Sequence, residues 1–154
     1  MITDDKQRLG SLLVAVQFSL IGILAWLGVP GLSLTEWYLS MALFLIAAGA
    51  TLGLAALCAN PPGNFNIHPS PRAGGALVTS GIYRWIRHPM YTAVLTIGLG
   101  ASWAANSWCS RSVWLTLLAV LVCKALLEED WMRSVHSDYA AYCSRTARFL
   151  PGVY

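Results

Sequence analysis

Charged residues are scarce in this sequence. Only 10 Lys and Arg and 7 Asp and Glu occur among 154 residues, and 56% of the residues are hydrophobic. A soluble globular domain typically carries about 25% charged residues. The composition therefore excludes an ordinary water-soluble globule, and it indicates a single membrane domain over residues 1–154.

Three kinds of motif are also missing. The sequence has no G-x-G-x-x-G turn and no alternation of strands and helices, which excludes a soluble nucleotide-binding sheet. Its three histidines form no H-x-x-x-H or H-E-x-x-H group, and its four cysteines form no C-x-x-C pair. We therefore expect no metal site, no metal-dependent hydroxylase or protease, and no disulfide framework.

Long apolar segments are present instead. Residues 9–29 and 37–59 are each long enough to cross a bilayer as a helix. Segments 90–105 and 113–127 are shorter, and each reaches only about 24 Å unless its flanks join the helix. We predict an all-α polytopic membrane protein with about four transmembrane helices. The charged and aromatic stretch after the last span is expected to continue as an amphipathic C-terminal helix on the membrane surface.

The first apolar segment follows two basic residues, which raises the alternative of a signal peptide. Its apolar core is longer than is usual for such a peptide, and no small-x-small cleavage site ends it. We therefore expect this segment to be a transmembrane helix.

The basic residues predict the orientation in the membrane. With four spans, nine of the ten lie on one side, and only Arg111 lies on the other. The positive-inside rule assigns the crowded side to the cytoplasm. Both termini and the Pro-, Gly- and Asn-rich link 60–75 are then expected to face the cytoplasm. In a bacterium the protein would lie in the inner membrane. The net charge of +3 reflects this topology and contacts with membrane lipids, and no nucleic-acid partner is expected.

A cationic and aromatic stretch, R-W-I-R-H-P-M-Y over 84–91, precedes the third span. Pro89 suits the first position of a helix and moves His88 out of the helical region. His88 and the first amides of the helix would form a donor-rich end that suits a carboxylate or phosphate. Tyr83 and Tyr91 add aromatic faces that can hold a cation or a planar ring. The first arginine and tryptophan of the stretch are also typical of a positive-inside flank with an interfacial aromatic belt.

A pair of carboxylates, Glu128 and Glu129, ends the fourth apolar segment. Acidic groups there oppose the negative end of the helix dipole and favour a cationic partner. The alternative is that the helix leaves the membrane and both carboxylates face water. In a hairpin of the last two spans, the cationic stretch and the Glu pair lie on the same membrane face. A ligand with a carboxylate, a cationic centre, an adenine ring and vicinal hydroxyls would match this set.

Three parts of the sequence resemble one superfamily of integral membrane enzymes. L-V-T-S-G-I-Y-R-W-I-R-H-P-M-Y, the Glu pair after the next span and the ending Y-A-A-Y-C-S-R-T-A-R-F-L-P are similar to the isoprenylcysteine carboxyl methyltransferase and phospholipid methyltransferase superfamily. The resemblance covers about residues 60–151. It implies S-adenosylmethionine in a cytoplasm-facing pocket over the last two spans. It also implies methyl transfer to a lipophilic or amphiphilic acceptor, such as an isoprenylcysteine-like carboxylate, a lipid headgroup or a lipophilic small molecule.

The resemblance also implies site residues. Contacts to the cofactor carry over to His68, Gly75, Ala76, Leu77, Val78, Tyr83, His88, Pro89, Met90, Tyr91 and one member of the pair Glu128 and Glu129, with Glu128 favoured. The candidates to position the acceptor are Arg87, Lys124 and Arg148. Lys124 stands where the family has an arginine. The lysine keeps the positive charge but lacks the planar guanidinium that can bind a carboxylate through two hydrogen bonds. The family's Phe-Gly before the C-terminal tyrosines is replaced by His-Ser at 136–137.

Other functions fit parts of the sequence. A reductase of the related sterol-reductase branch would share the C-terminal region, but it would use NADPH and normally has many more spans. A small four-span exporter would be expected to carry an acidic residue in its first span, and none occurs between residues 9 and 29. A membrane scaffold without activity is the third alternative.

Overall fold

The fold is all-α, as the sequence predicts. The computed structural model describes residues 4–29, 36–69 and 75–152. These residues form α1 Asp4–Gly28, α2 Glu36–Ala59, α3 Pro89–Ala105, α4 Trp108–Val135 and α5 Tyr139–Cys143, with a 3₁₀ turn at Gly81–Arg84 before α3. Across these ranges no strand occurs, and one isolated bridge joins Ile86 to Ala147. The turn expected around Pro30 lies outside the described residues.

Three helices are long and apolar enough to cross a membrane: α1, α2 and α4. Their outer surfaces carry large exposed apolar side chains, among them Trp26, Phe44, Leu54 and Leu115. Such surfaces are costly in water but suit hydrocarbon, because the helix satisfies its own backbone hydrogen bonds. The chain is therefore an integral membrane protein.

Helix α4 is longer than the predicted segment 113–127, because flanking residues join it at both ends. At its start, the Ser107 hydroxyl accepts a hydrogen bond from the Ser110 amide at 3.1 Å and caps the helix. At its end, the helix continues through the Glu pair to Val135. Its 28 residues reach about 42 Å, which exceeds a hydrocarbon core of about 30 Å. Its last turns therefore extend beyond the hydrocarbon core.

Helix α3 keeps the short length that the sequence predicts. Pro89 occupies its first position and His88 its N-cap, as expected. Asn106 ends the helix in the left-handed conformation, with φ 42°. The 17 residues between these boundaries reach about 25 Å, so α3 is shorter than the three candidate spans.

The helices pack through small residues and one apolar cluster. Helix α2 buries Ala42, Gly49 and Ala56, which are seven residues apart and lie on one face. Small residues at such a face let two helix backbones approach closely within a membrane. Leu24 of α1 joins Leu95 of α3 and two leucines of α4 in a buried cluster. Helix α3 thus lies in the interior, in contact with the other three long helices.

The C-terminal region forms two pieces rather than one continuous amphipathic helix. Helix α4 ends at Val135, and the five-residue α5 then buries Tyr139 and Tyr142. The following segment runs beside the stretch that precedes α3. The Arg87 amide donates to the Ala147 carbonyl at 2.8 Å, and the Ala147 amide donates to the Trp85 carbonyl at 3.0 Å. This pairing brings the C-terminal segment to the start of α3.

We predict that Gly49→Ala lowers the melting temperature of the detergent-solubilised protein. An added Cβ would lie 2.8 Å from the Ala93 carbonyl oxygen and 2.7 Å from Ile97 Cγ1. Overpacking of this kind costs about 1–3 kcal/mol. Gly22→Ala is the matched control, because its Cβ would meet no atom within 4 Å and alanine favours a helix. Equal melting temperatures for the two variants would contradict this packing.

Candidate active site

A cavity lies at the end of the helical bundle where α3 begins and α4 ends. Its walls come from the link 60–69, segment 75–78, the 3₁₀ turn, the start of α3, the end of α4 and the two buried tyrosines of α5. Every residue that the resemblance implies for cofactor binding lines this cavity, with the exception of Glu129. The structure therefore brings together residues that are up to 60 positions apart, from His68 to Glu128.

One carboxylate faces the cavity from an aromatic wall. The Tyr91 hydroxyl donates to Glu128 Oε2 at 2.7 Å, and His88 Nδ1 lies 3.6 Å from the same oxygen. The rings of His88 and Tyr91 are stacked, with centroids 5.2 Å apart and planes 5° apart. The Glu128 side chain remains 33% exposed. The carboxylate can therefore meet a ligand while Tyr91 holds it in place.

The cavity tyrosines are neutral donors rather than bases. Burial, and then the nearby charge of Glu128, raise the pKa of Tyr83 to about 12. Burial also raises the pKa of Tyr139 and of Tyr142 above the usual value. The Tyr142 hydroxyl donates to the Tyr83 carbonyl at 2.7 Å, which fixes the turn before α3. At neutral pH these phenols stay protonated and supply hydrogen bonds and aromatic faces.

The second carboxylate of the pair lies in a buried ion cluster. The Glu129 side chain is 0% exposed. Its Oε1 accepts from Arg87 Nε and Arg148 Nε at 3.0 Å each, and lies 3.3 Å from His88 Nε2. Its Oε2 accepts from another Arg148 nitrogen at 3.1 Å and from Arg133 at 3.3 Å. Cofactor contact by Glu129 remains a prediction, and the structure gives this carboxylate cationic partners within the protein.

Two of the predicted acceptor residues belong to the same cluster. Arg148 bonds both oxygens of Glu129. Arg87 lines the cavity, but its guanidinium also donates to the carbonyls of Cys143 and Thr146. The two arginines therefore tie the C-terminal segment to α4, and their contact with an acceptor stays a prediction.

The third predicted acceptor residue, Lys124, lies behind the cavity wall. It is only 1% exposed. Its ammonium donates to Gln17 Oε1 at 2.6 Å and to the Ile67 carbonyl at 3.1 Å. It also lies 5.1 Å from the centroid of the Tyr91 ring. Lys124 thus contacts the Tyr91 ring and links α4 to α1 through Gln17. It does not line the cavity.

His68 reaches the cavity from the link and rests against α1. Its Nε2 lies 3.3 Å from the Ser11 hydroxyl and 3.3 Å from the Gln7 carbonyl oxygen. Its ring stacks on Trp131, with centroids 6.2 Å apart. A Cβ at Gly10 would lie 2.6 Å from the His68 ring. The absence of a side chain at Gly10 therefore lets the imidazole sit against the helix.

Sequence reasoning missed several residues of the cavity wall. These are Asn60, Asn64, Phe65, Asn66, Met132, His136, Tyr139 and Tyr142. Helical spacing was an available signal for two of them, because Met132 and His136 follow Glu128 at steps of four. Asn64 had no comparable signal. Its amide pairs with both backbone groups of Ala76, at 2.9 and 3.1 Å, and so aligns the link with segment 75–79.

The comparisons with known proteins identify one family. A family model described as phospholipid methyltransferase matches residues 37–139 of the 154. No curated protein gives a significant match. The matched range runs from the start of α2 to the first residue of α5 and includes nearly the whole cavity wall. Helix α1 and the segment with Arg148 lie outside it.

We predict that Glu129→Gln strongly destabilises the protein, whereas Glu128→Gln does not. Removing the buried charge leaves Arg87 and Arg148 without their anion, which costs about 3–5 kcal/mol. Glu128 is partly exposed, and a glutamine at this position can still accept a hydrogen bond from the Tyr91 hydroxyl, so the expected cost is about 1 kcal/mol. Thermal unfolding of both variants in one detergent measures the difference. A Glu129→Gln variant as stable as Glu128→Gln would refute the cluster.

Proposed function

Because this chain belongs to the phospholipid methyltransferase family, we propose that it transfers methyl groups from S-adenosylmethionine to a lipophilic or amphiphilic acceptor. The observation that carries the proposal is the Glu128 carboxylate within the aromatic wall of the cavity. Such a wall suits a cationic ligand, because a carboxylate and aromatic faces both attract positive charge. When bound, S-adenosylmethionine supplies an electrophilic methyl group on a positively charged sulfur.

The chemistry of the lining residues fits the separate parts of this cofactor. Glu128 and Tyr91 suit its cationic groups or its hydroxyls. His88 and the Met90 amide near the start of α3 suit its carboxylate. Pro89 has no N–H, and the amides of Tyr91 and Thr92 already donate to the His88 carbonyl. In segment 75–78, which has no regular structure, both backbone groups of Ala76 are paired with Asn64. The backbone groups of Gly75, Leu77 and Val78 are therefore the candidates for contact with a planar base. These three sets of residues lie around one cavity.

Methyl transfer of this kind is a direct displacement, so the protein chiefly aligns two reactants and excludes water. Tyr83, Tyr139 and Tyr142 stay protonated at neutral pH and do not act as bases. A carboxylate or thiolate acceptor needs no base, whereas a protonated amine must first lose a proton. The residues proposed to position the acceptor are Arg87, Lys124 and Arg148, either directly or by holding the cavity wall.

Isothermal titration calorimetry with the solubilised protein tests the cofactor. We expect S-adenosylmethionine to bind, and Glu128→Gln to weaken binding by about tenfold or more, as the loss of one charged contact implies. Asp130→Asn is the matched control. Asp130 is two residues away on α4, but it pairs with Lys6 at 2.5 Å and is 60% exposed.

Three results would argue against this assignment. No binding by the wild type would refute the proposed cofactor. Equal binding by Glu128→Gln and Asp130→Asn would refute the site. Binding of NADPH in place of S-adenosylmethionine would favour a reductase.

The acceptor is proposed to enter from the bilayer, while the cofactor enters from the cytoplasm. The cavity lies at the end of the bundle that carries Lys6, Arg87 and Arg148, and the positive-inside rule assigns this end to the cytoplasm. Methyl transfer to acceptors with one headgroup and progressively longer tails should accelerate, since each buried methylene contributes about 0.8 kcal/mol.

Labelled methyl transfer in sealed vesicles measures both features. Rates that are independent of tail length, or highest for water-soluble acceptors, would indicate a cytosolic substrate. Added S-adenosylmethionine should support transfer in inverted vesicles only, and activity restricted to right-side-out vesicles would reverse the orientation.

A further inference from the structure

A second cavity lies beside the first and has a different lining. Its residues are Thr79, Arg84, Trp85, Tyr142, Arg145 and Thr146. Two arginines, two threonines, a tyrosine and a tryptophan thus line one depression, and no carboxylate is among them. Tyr142 lines both cavities, so the two cavities are adjacent. The combination is that of a site for an anion.

The C-terminal segment assembles this cavity by pairing with the stretch before α3. The hydrogen bond from the Ala147 amide to the Trp85 carbonyl, at 3.0 Å, holds the two segments side by side. This register places Arg84 and Trp85 of one segment next to Arg145 and Thr146 of the other. Arg87 and Arg148, farther along the two segments, meet at Glu129. The second cavity therefore rests on a backbone that the buried ion cluster fixes.

Arg84 and Arg145 differ from the three arginines around Glu129. Arg87, Arg133 and Arg148 all bind Glu129. Within the described residues, neither the Arg84 nor the Arg145 guanidinium has an ion pair or a side-chain hydrogen bond, and both residues are exposed. Two neighbouring cations without a counterion favour a bound anion. Guanidinium groups match the oxygens of a phosphate by paired hydrogen bonds.

We propose that this second cavity binds the phosphate group of a membrane phospholipid. The position selects a lipid over a soluble phosphate. Arg84 and Trp85 lie five and four residues before Pro89, the first residue of α3, at the end of the helical bundle where the chain leaves the apolar region. Trp85 is 61% exposed, and a tryptophan at such a boundary lies at the level of the lipid headgroups. The headgroup phosphate then lies within reach of the two arginines, with the acyl chains along the helices.

This site is distinct from the cofactor cavity and does not depend on methyl transfer. The sequence pattern alone interprets two of its residues as a positive flank with an aromatic belt at the membrane interface. That explanation covers Arg84 and Trp85, but it does not predict that Arg145 and Thr146 from the C-terminal segment share one depression with them. The two cavities share Tyr142 as a lining residue, so a bound phospholipid would also lie next to the cofactor cavity.

The test is isothermal titration calorimetry, which measures the binding of short-chain lipids to the detergent-solubilised protein. The probes are dioctanoyl phosphatidylglycerol, dioctanoylglycerol, which has the same tails and no phosphate, and inorganic phosphate. We expect the phospholipid to bind at least about tenfold more tightly than either of the others. Arg84→Gln and Arg145→Gln should each weaken its binding by about tenfold, which is the effect of losing one charge-assisted contact.

Arg8→Gln is the matched control, because Arg8 is an exposed arginine on α1 at the same end of the bundle. It should change phospholipid binding by less than about twofold. Arg84→Lys keeps the charge but loses the planar guanidinium that forms paired hydrogen bonds, so intermediate binding is expected. Melting temperatures equal to that of the wild type show that the variants are folded, as the exposure of both arginines implies.

Four outcomes would overturn the proposal. Wild-type binding by Arg84→Gln and Arg145→Gln would refute the cavity. An equal loss in Arg8→Gln would indicate general attraction to a positive surface. Equal binding of dioctanoylglycerol would show that the phosphate is not recognised. Inorganic phosphate that binds as tightly as the phospholipid would assign the cavity to a soluble anion.

Discussion

Glu129 is a carboxylate without contact to water, and three guanidiniums and one imidazole surround it. Removing a charge from water is expensive, so the arrangement is stable only while its partners remain in place. Those partners come from the stretch before α3, from the C-terminal segment and from α4 itself. The one carboxylate therefore holds three parts of the chain together at the end of the bundle, and both cavities are built on that junction.

The neighbouring carboxylates of the pair have different tasks. Successive residues of an α-helix point about 100° apart, so Glu128 and Glu129 cannot face the same environment. Glu128 turns to the cavity and meets Tyr91, whereas Glu129 turns to the arginines. His88 lies between them, with one ring nitrogen toward each. A ligand at Glu128 is therefore one imidazole away from the cluster that maintains the fold.

Sequence reasoning succeeded where the cause is local. The proline at 89 starts α3 and leaves His88 as its N-cap, and apolar length identifies α1 and α2. It fell short where the cause is a distant partner. Helix α4 continues past residue 127 to Val135, as the amphipathic pattern predicts, but no local pattern indicates that Arg87 and Arg148 from outside the helix neutralise Glu129. Lys124 has a buried partner in Gln17, 107 positions away, and no local pattern predicts such a pair. Contacts of this kind follow from packing, which only the three-dimensional structure provides.

Helix α1 lies outside the range that matches the family, yet its buried face fits residues of the cavity wall. Gly10 leaves room for the His68 ring, and Gln17 accepts the hydrogen bond of Lys124. The helix is therefore more than a hydrophobic anchor. An unrelated apolar helix grafted in its place would fill the space of the imidazole and leave the ammonium without its side-chain acceptor. Helix α1 and the rest of the chain are therefore complementary in shape and hydrogen bonding. A chimera that replaces α1 has to keep the contacts of this helix with both His68 and Lys124.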